Sequence, residues 1–143
     1  MVVESWQFWA VLSAAFAALT AVLAKVGVAA VNPDLATLIR TVVVLCLLAI
    51  LVVATGQWQA PRTIPARTYV FLILSGLATG ASWLCYFRAL KLGDASRVAP
   101  IDKLSVVMVA IIAAVFLGER LSATNWLGVA MIAGGAVLVA LRI

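Results

Sequence analysis

Five stretches of this chain are apolar over the length that crosses a bilayer, and together they leave almost nothing over. A hydrocarbon core about 30 Å thick takes about 20 helical residues at about 1.5 Å of rise each. Windows of that kind lie at about 6–28, 35–54, 69–90, 99–118 and 125–141, separated by clusters of charge, Gly and Pro. The chain therefore reads as an all-α integral membrane protein with one transmembrane domain over residues 1–143. Composition agrees: 66% of residues are hydrophobic, 10% are charged and His is absent, far more apolar than a soluble domain tolerates. The longest connection, residues 55–67, is Pro-rich and polar and too short for a catalytic domain, so function is expected within the membrane. The N-terminal "MVVES" has no basic segment and leads into a span too long for a signal-peptide core, so the first helix is expected to be retained.

The formal net charge of +5 comes from Lys and Arg scattered over helix ends and short loops, which fits membrane topology better than nucleic-acid binding. Successive loops alternate sides. On the N-terminal side lie Arg62, Arg67 and Arg120; opposite them lie Lys91, Arg97 and Arg142, three against three. Lys25, Arg40, Arg88 and Lys103, at or inside the helix mouths of the second side, would make it seven against three. If those four read poorly as loop charge, the chain inserts both ways up and pairs head to tail; otherwise it has one orientation, with the second side cytoplasmic. An odd-span unit that is duplicated and fused yields an inverted repeat, and an unfused one reaches the same arrangement as an antiparallel dimer. Cys46 and Cys85 fall inside spans, too isolated for a metal site, and read as apolar filler.

Helical spacing adds faces to the spans. Trp6, Trp9, Ser13, Phe16 and Thr20 share one side of the first span, and Ser75, Thr79, Ser82 and Tyr86 form a stripe on the third, next to Trp83. Hydroxyl stripes on two helices can line a shared cavity; they can equally bond back to their own helix or join helices, and Trp6 and Trp58 read as interfacial belt residues. Gly76 and Gly80 make a G-x-x-x-G in the third span, and Gly128 and Gly135 stand seven apart on one face of the fifth.

Asp102 and Lys103 follow Pro100, which suits the first turn of a helix starting near Ala99. That places both charges in the fourth helix's first turn, with Asp favourable at the positive end of the dipole and Lys able to snorkel. Yet residues 104–118 alone make only about 22 Å of helix, so the pair is also expected below the surface, where ionisable groups mark a substrate path or a partner.

The motifs "ALKLGDAS", "LGER" closing the fourth span, "NWLGVAMIAGGAVL" in the fifth and "NPDLATLIR" opening the second together resemble the EamA-type domain of the drug/metabolite transporter superfamily over nearly the whole chain. Larger members are similar to two such units fused in inverted orientation and move small metabolites across inner membranes. The resemblance implies that this five-span chain is half of an inverted-repeat transporter, working as a homodimer or with a similar chain. In the related small multidrug resistance proteins, last-helix glycines seven apart serve dimer contact, and Gly128 and Gly135 match that spacing. Those proteins use a first-span Glu for proton coupling; here the first span carries Lys25 instead, leaving a facilitator, or coupling through Asp102.

The leading expectation is thus an inner-membrane, multi-pass transporter of amino-acid-like or other small amphipathic solutes, working by alternating access. Trp9, Ser13, Ser82, Trp83 and Tyr86 are expected to line its path, with Asp102 and Lys103 as gate or polar end. Its partners are a small-molecule substrate, the lipid bilayer and a second, antiparallel copy of itself or a similar chain. No cofactor, metal or nucleic acid is indicated. A lipid-carrier flippase subunit and a non-transporting membrane partner are the rival readings; an enzyme is not expected, because no nucleophile with a base, metal cluster or phosphate loop appears.

Overall fold

A computed structural model describes residues 5–141, and Arg142, counted above among the second-side charges, lies outside the described residues. The described residues are helical with no strand: α1 (Trp6–Val28), α2 (Pro33–Ala54), a 3₁₀ turn (Pro61–Thr63), α3 (Ala66–Leu92), α4 (Ala95–Asp102), α5 (Ser105–Ile112) running into a π-helical turn (Ala113–Leu117), and α6 (Ala123–Ala140). Five segments have the length and hydropathy to cross a membrane: α1, α2, α3, the α4–α5 stretch Ala95–Leu117, and α6. Contacts divide the chain into a central unit, Val26–Lys91, and a terminal unit made of Met1–Lys25 with Leu92–Ile143.

In the central unit, the start of α2 is written in three consecutive residues. The Asn32 carboxamide oxygen accepts from the amides of Asp34 (2.8 Å) and Leu35 (3.4 Å), Pro33 has no amide to leave unpaired, and Asp34 sits at the positive end of the dipole. The helix stops at Thr55, and Gly56, with φ +66°, turns the chain away. Across the connection the Tyr69 hydroxyl donates to the Pro61 carbonyl (3.0 Å), holding the 3₁₀ turn against the first turn of α3. At the other end of α3, the Lys91 ammonium donates to the carbonyls of Val28 (2.9 Å), Ala29 (2.6 Å) and Val31 (3.3 Å). Val28 ends α1, and Ala29 and Val31 follow it in the turn to α2; the last carbonyls of a helix lack amide partners, and a cation is the favourable group there.

The terminal unit repeats this device. Arg97 donates from Nη2 (2.6 Å) and Nε (3.3 Å) to the Ala140 carbonyl at the end of α6, and Lys25 donates to the Gly93 carbonyl (2.8 Å) ahead of α4. Helices α4 and α5 pack on α6, where Ala113 and Ala136 are buried. Helix α6 starts at Ser122, whose hydroxyl accepts from the Asn125 amide (3.2 Å).

The fourth span departs from expectation. It begins at Ala95, behind an extended Asp94, so Pro100 lies inside α4 rather than in its first turn. Proline removes one amide and crowds the carbonyl four residues back. The helix breaks one turn later: Lys103 and Leu104 form a turn, and the amides of Leu104, Val106 and Val107 bond three residues back rather than four. Asp102 and Lys103 therefore lie at the break between α4 and α5 and not in a helix's first turn.

The span ends at Gly118, which adopts φ +70° and whose amide bonds back to the Ala113 carbonyl. A Cβ there would meet nothing within 4 Å, so the whole cost of adding one is conformational. Gly118→Ala is expected to cost about 1 kcal/mol, read as a lower denaturation midpoint in detergent; an unchanged midpoint would show that this turn relaxes freely.

Candidate functional site

The central unit carries a charged and aromatic cluster between α2 and α3. At the mouth, Arg88 meets Asp34 through two parallel bonds, Nε to Oδ1 (3.0 Å) and Nη2 to Oδ2 (2.8 Å). This fork geometry is the strongest form of the carboxylate–guanidinium pair. Arg40 lies seven residues into α2, about 10 Å along the helix. Its guanidinium carbon stands 4.1 Å from the centroid of the Trp83 ring and 5.6 Å from that of Phe87. Such a contact is worth about 0.5–1 kcal/mol in water and about 2 when desolvated. Trp83 and Phe87 are four residues apart on α3, so one helix face supplies both rings. Tyr86 is half-buried and close enough to Arg40 to interact with it electrostatically.

Among the described residues, no carboxylate pairs with Arg40, and it donates no hydrogen bond to any of them: Asp34 is committed to Arg88 and Asp102 to Lys103. The neighbouring hydroxyls turn inward on their own helices. Thr37 donates to the Pro33 carbonyl (2.8 Å), Thr41 to that of Thr37 (2.7 Å) and Thr79 to that of Ser75 (2.9 Å). Thr79 thus takes the back-bonding role, whereas Ser82 is exposed and keeps its hydroxyl on the α3 surface.

In the terminal unit, Trp9 is 55% exposed and meets Phe8 edge-on at 5.5 Å between ring centroids, and Ser13 is exposed one turn further along α1. Asp102 is half-buried and accepts from the Lys103 ammonium at 3.3 Å, so the two charges at the α4–α5 break compensate each other. On α6, Gly128 is half-buried and Gly135 exposed, and an added Cβ at either would meet nothing within 4 Å. The same holds at Gly76 and Gly80. The described residues hold no group of three His, Cys, Asp or Glu that could bind a metal.

Of the expected path residues, Trp83 and Tyr86 come together around Arg40 in the central unit, and Asp102 and Lys103 come together in the terminal one. The sequence places Arg40 among the helix-mouth charges that, with Lys25, Asp34 and Arg88, could join Asp102 and Lys103 in a polar vestibule, and does not single out Phe87. The available signal was the pair of aromatics at i and i+4 on α3, a ready platform for a cation.

Comparison with known proteins gives the same direction. The chain is 74% identical over 137 residues to a Sinorhizobium sp protein described as an uncharacterized transporter in the cobO 3′ region, covering 96% of this chain and 97% of that one. No solved structure matches. Residues 4–141 match the EamA-like transporter family, and with that match spanning nearly the whole chain, the protein belongs to the EamA-like transporter family.

Proposed function

We propose that the protein carries small metabolites, amino-acid-like or otherwise small and amphipathic, across the cell inner membrane by alternating access, as an antiparallel homodimer. Its single transmembrane domain supplies half of the path and a second copy the other half. The observation that carries this reading is an odd number of spans in a transporter family: five membrane-length helices, with the family match covering 4–141. Two such units facing opposite ways reproduce an inverted repeat without gene fusion. The uncovered glycine positions of α3 and α6 leave room for a neighbour's backbone. Trp9, Ser13, Ser82, Trp83 and Tyr86 face the path in this proposal, and Asp102 with Lys103 forms its charged break.

Topology tests it. With Cys46 and Cys85 replaced by Ala, Gln59→Cys places one thiol in the α2–α3 connection. About half of the molecules are expected to react with a membrane-impermeant thiol reagent in intact cells, and all of them after permeabilisation. All-or-none labelling would overturn the antiparallel homodimer, and loss of solute flux in liposomes of either orientation would overturn transport.

A further inference from the structure

We propose that Arg40, seated on Trp83 and Phe87, is a binding site for the oxyanion of the transported solute, and that the substrate class is therefore small organic acids with an apolar body. The inference rests on the transporter reading and adds to it the chemistry of the cargo.

A guanidinium about 10 Å into a membrane-spanning helix is costly unless something compensates it. The two charged pairs of the described residues leave Arg40 out, and Arg88 takes Asp34, the only carboxylate of the central unit. The rings compensate only part of the charge. The guanidinium carbon lies over both rings, 4.1 Å from the Trp83 centroid and 5.6 Å from that of Phe87. A cation–π contact engages the charge and does not by itself consume the guanidinium's five N–H donors. None of them is used by a described residue. A guanidinium with idle donors can take a carboxylate or phosphate through two parallel bonds. Trp83, half-buried, then offers an apolar wall to the rest of the solute. The Asp34–Arg88 pair serves the site by keeping the nearest carboxylate occupied, so the anion that Arg40 takes must come from elsewhere.

A carboxylate or phosphate oxygen could reach Arg40 from a free solute or from an anionic lipid headgroup, and the test separates them. The full-length protein is placed in nanodiscs of phosphatidylcholine alone, or of phosphatidylcholine with phosphatidylglycerol, and benzoate is titrated against benzamide, its neutral counterpart. In neutral nanodiscs benzoate is expected to bind and to change tryptophan fluorescence, while benzamide does not. Arg40→Gln is expected to weaken benzoate binding at least about tenfold, Arg40→Lys to restore part of it, and Trp83→Leu to weaken it with the charge still present. Equal binding of benzoate and benzamide, or benzoate binding untouched in a folded Arg40→Gln protein, would overturn the site. Protection of Arg40 by phosphatidylglycerol with no response to benzoate would overturn the solute assignment in favour of a lipid. Flux in liposomes separates the two readings: binding without flux leaves the anion site standing and removes the transporter, whereas flux of neutral solutes without benzoate binding does the reverse.

Discussion

Isoleucine in place of both Gly128 and Gly135 is expected to leave the inserted chain folded and to disrupt the proposed dimer, and transport with it. The two positions are seven residues apart, almost two full turns, so they lie on one face of α6. A Cβ at either would meet none of the described residues within 4 Å. The first atom of a larger side chain therefore meets no described residue, and isoleucine is a better helix former than glycine by a few tenths of a kcal/mol. What it removes is close backbone approach by a second helix, which in lipid is driven by packing of small residues rather than by the hydrophobic effect. The dimer fraction, measured by cross-linking or by single-molecule photobleaching, should fall at least about tenfold, equivalent to about 1.4 kcal/mol. Gly134→Ile supplies the control. Its neighbourhood is just as open, but it lies about 100° round the helix from Gly135, so its dimer should survive. Equal dimer loss in both would mean that bulk anywhere on α6 is harmful; retained dimer in the double variant would remove α6 from the contact.

How much of this was legible in the sequence depends on the range of the interaction concerned. The span count and the helix starts at Asn32–Pro33 and Ser122 are local matters, set by hydropathy and by a capping side chain a few residues from the amide it serves. The partners of the charges are not local. Lys91 caps a helix end about 60 residues upstream, and Arg97 a carbonyl 43 residues downstream. Nothing in the spacing of the sequence pairs them. A count for the positive-inside rule registers these residues as loop charge, whereas the fold uses them to satisfy terminal carbonyls. The fourth span was misjudged for a different reason: proline is favoured in a first turn, but it is also tolerated one turn ahead of a break, and the sequence around Pro100 satisfies both rules. The hydroxyl stripe of α3 was ambiguous because a back-bonded threonine and a cavity threonine have the same sequence; only the 2.9 Å bond from Thr79 to the Ser75 carbonyl separates them. Arg40 and Trp83 were each visible, one as a cation and one as part of an aromatic stripe, but their meeting depends on how α2 and α3 are aligned in the central unit.

That alignment is held at the mouth by Asp34 and Arg88, and breaking the pair is expected to have the second large effect. Asp34→Ala leaves Arg88 with no carboxylate among the described residues and removes the acidic group from the first turn of α2, so two favourable terms vanish together. Arg88→Ala removes one term only, because Asp34 keeps its place at the positive end of the α2 dipole. The amount of folded protein in the membrane should therefore fall several-fold for Asp34→Ala and less for Arg88→Ala. The exchanged pair, Asp34→Arg with Arg88→Asp, decides whether the contact itself matters. It restores opposite charges across the two helices but puts a cation at a helix N-terminus and an acid near a C-terminus, both against the dipole. Partial recovery, above either exchanged residue alone and below wild type, is the expected outcome, measured as the monodisperse yield after detergent extraction. Full recovery would mean that the dipole contributes nothing at this depth. No recovery would mean that Asp34 acts through its own helix end, and that the alignment of Arg40 over Trp83 is kept by other contacts.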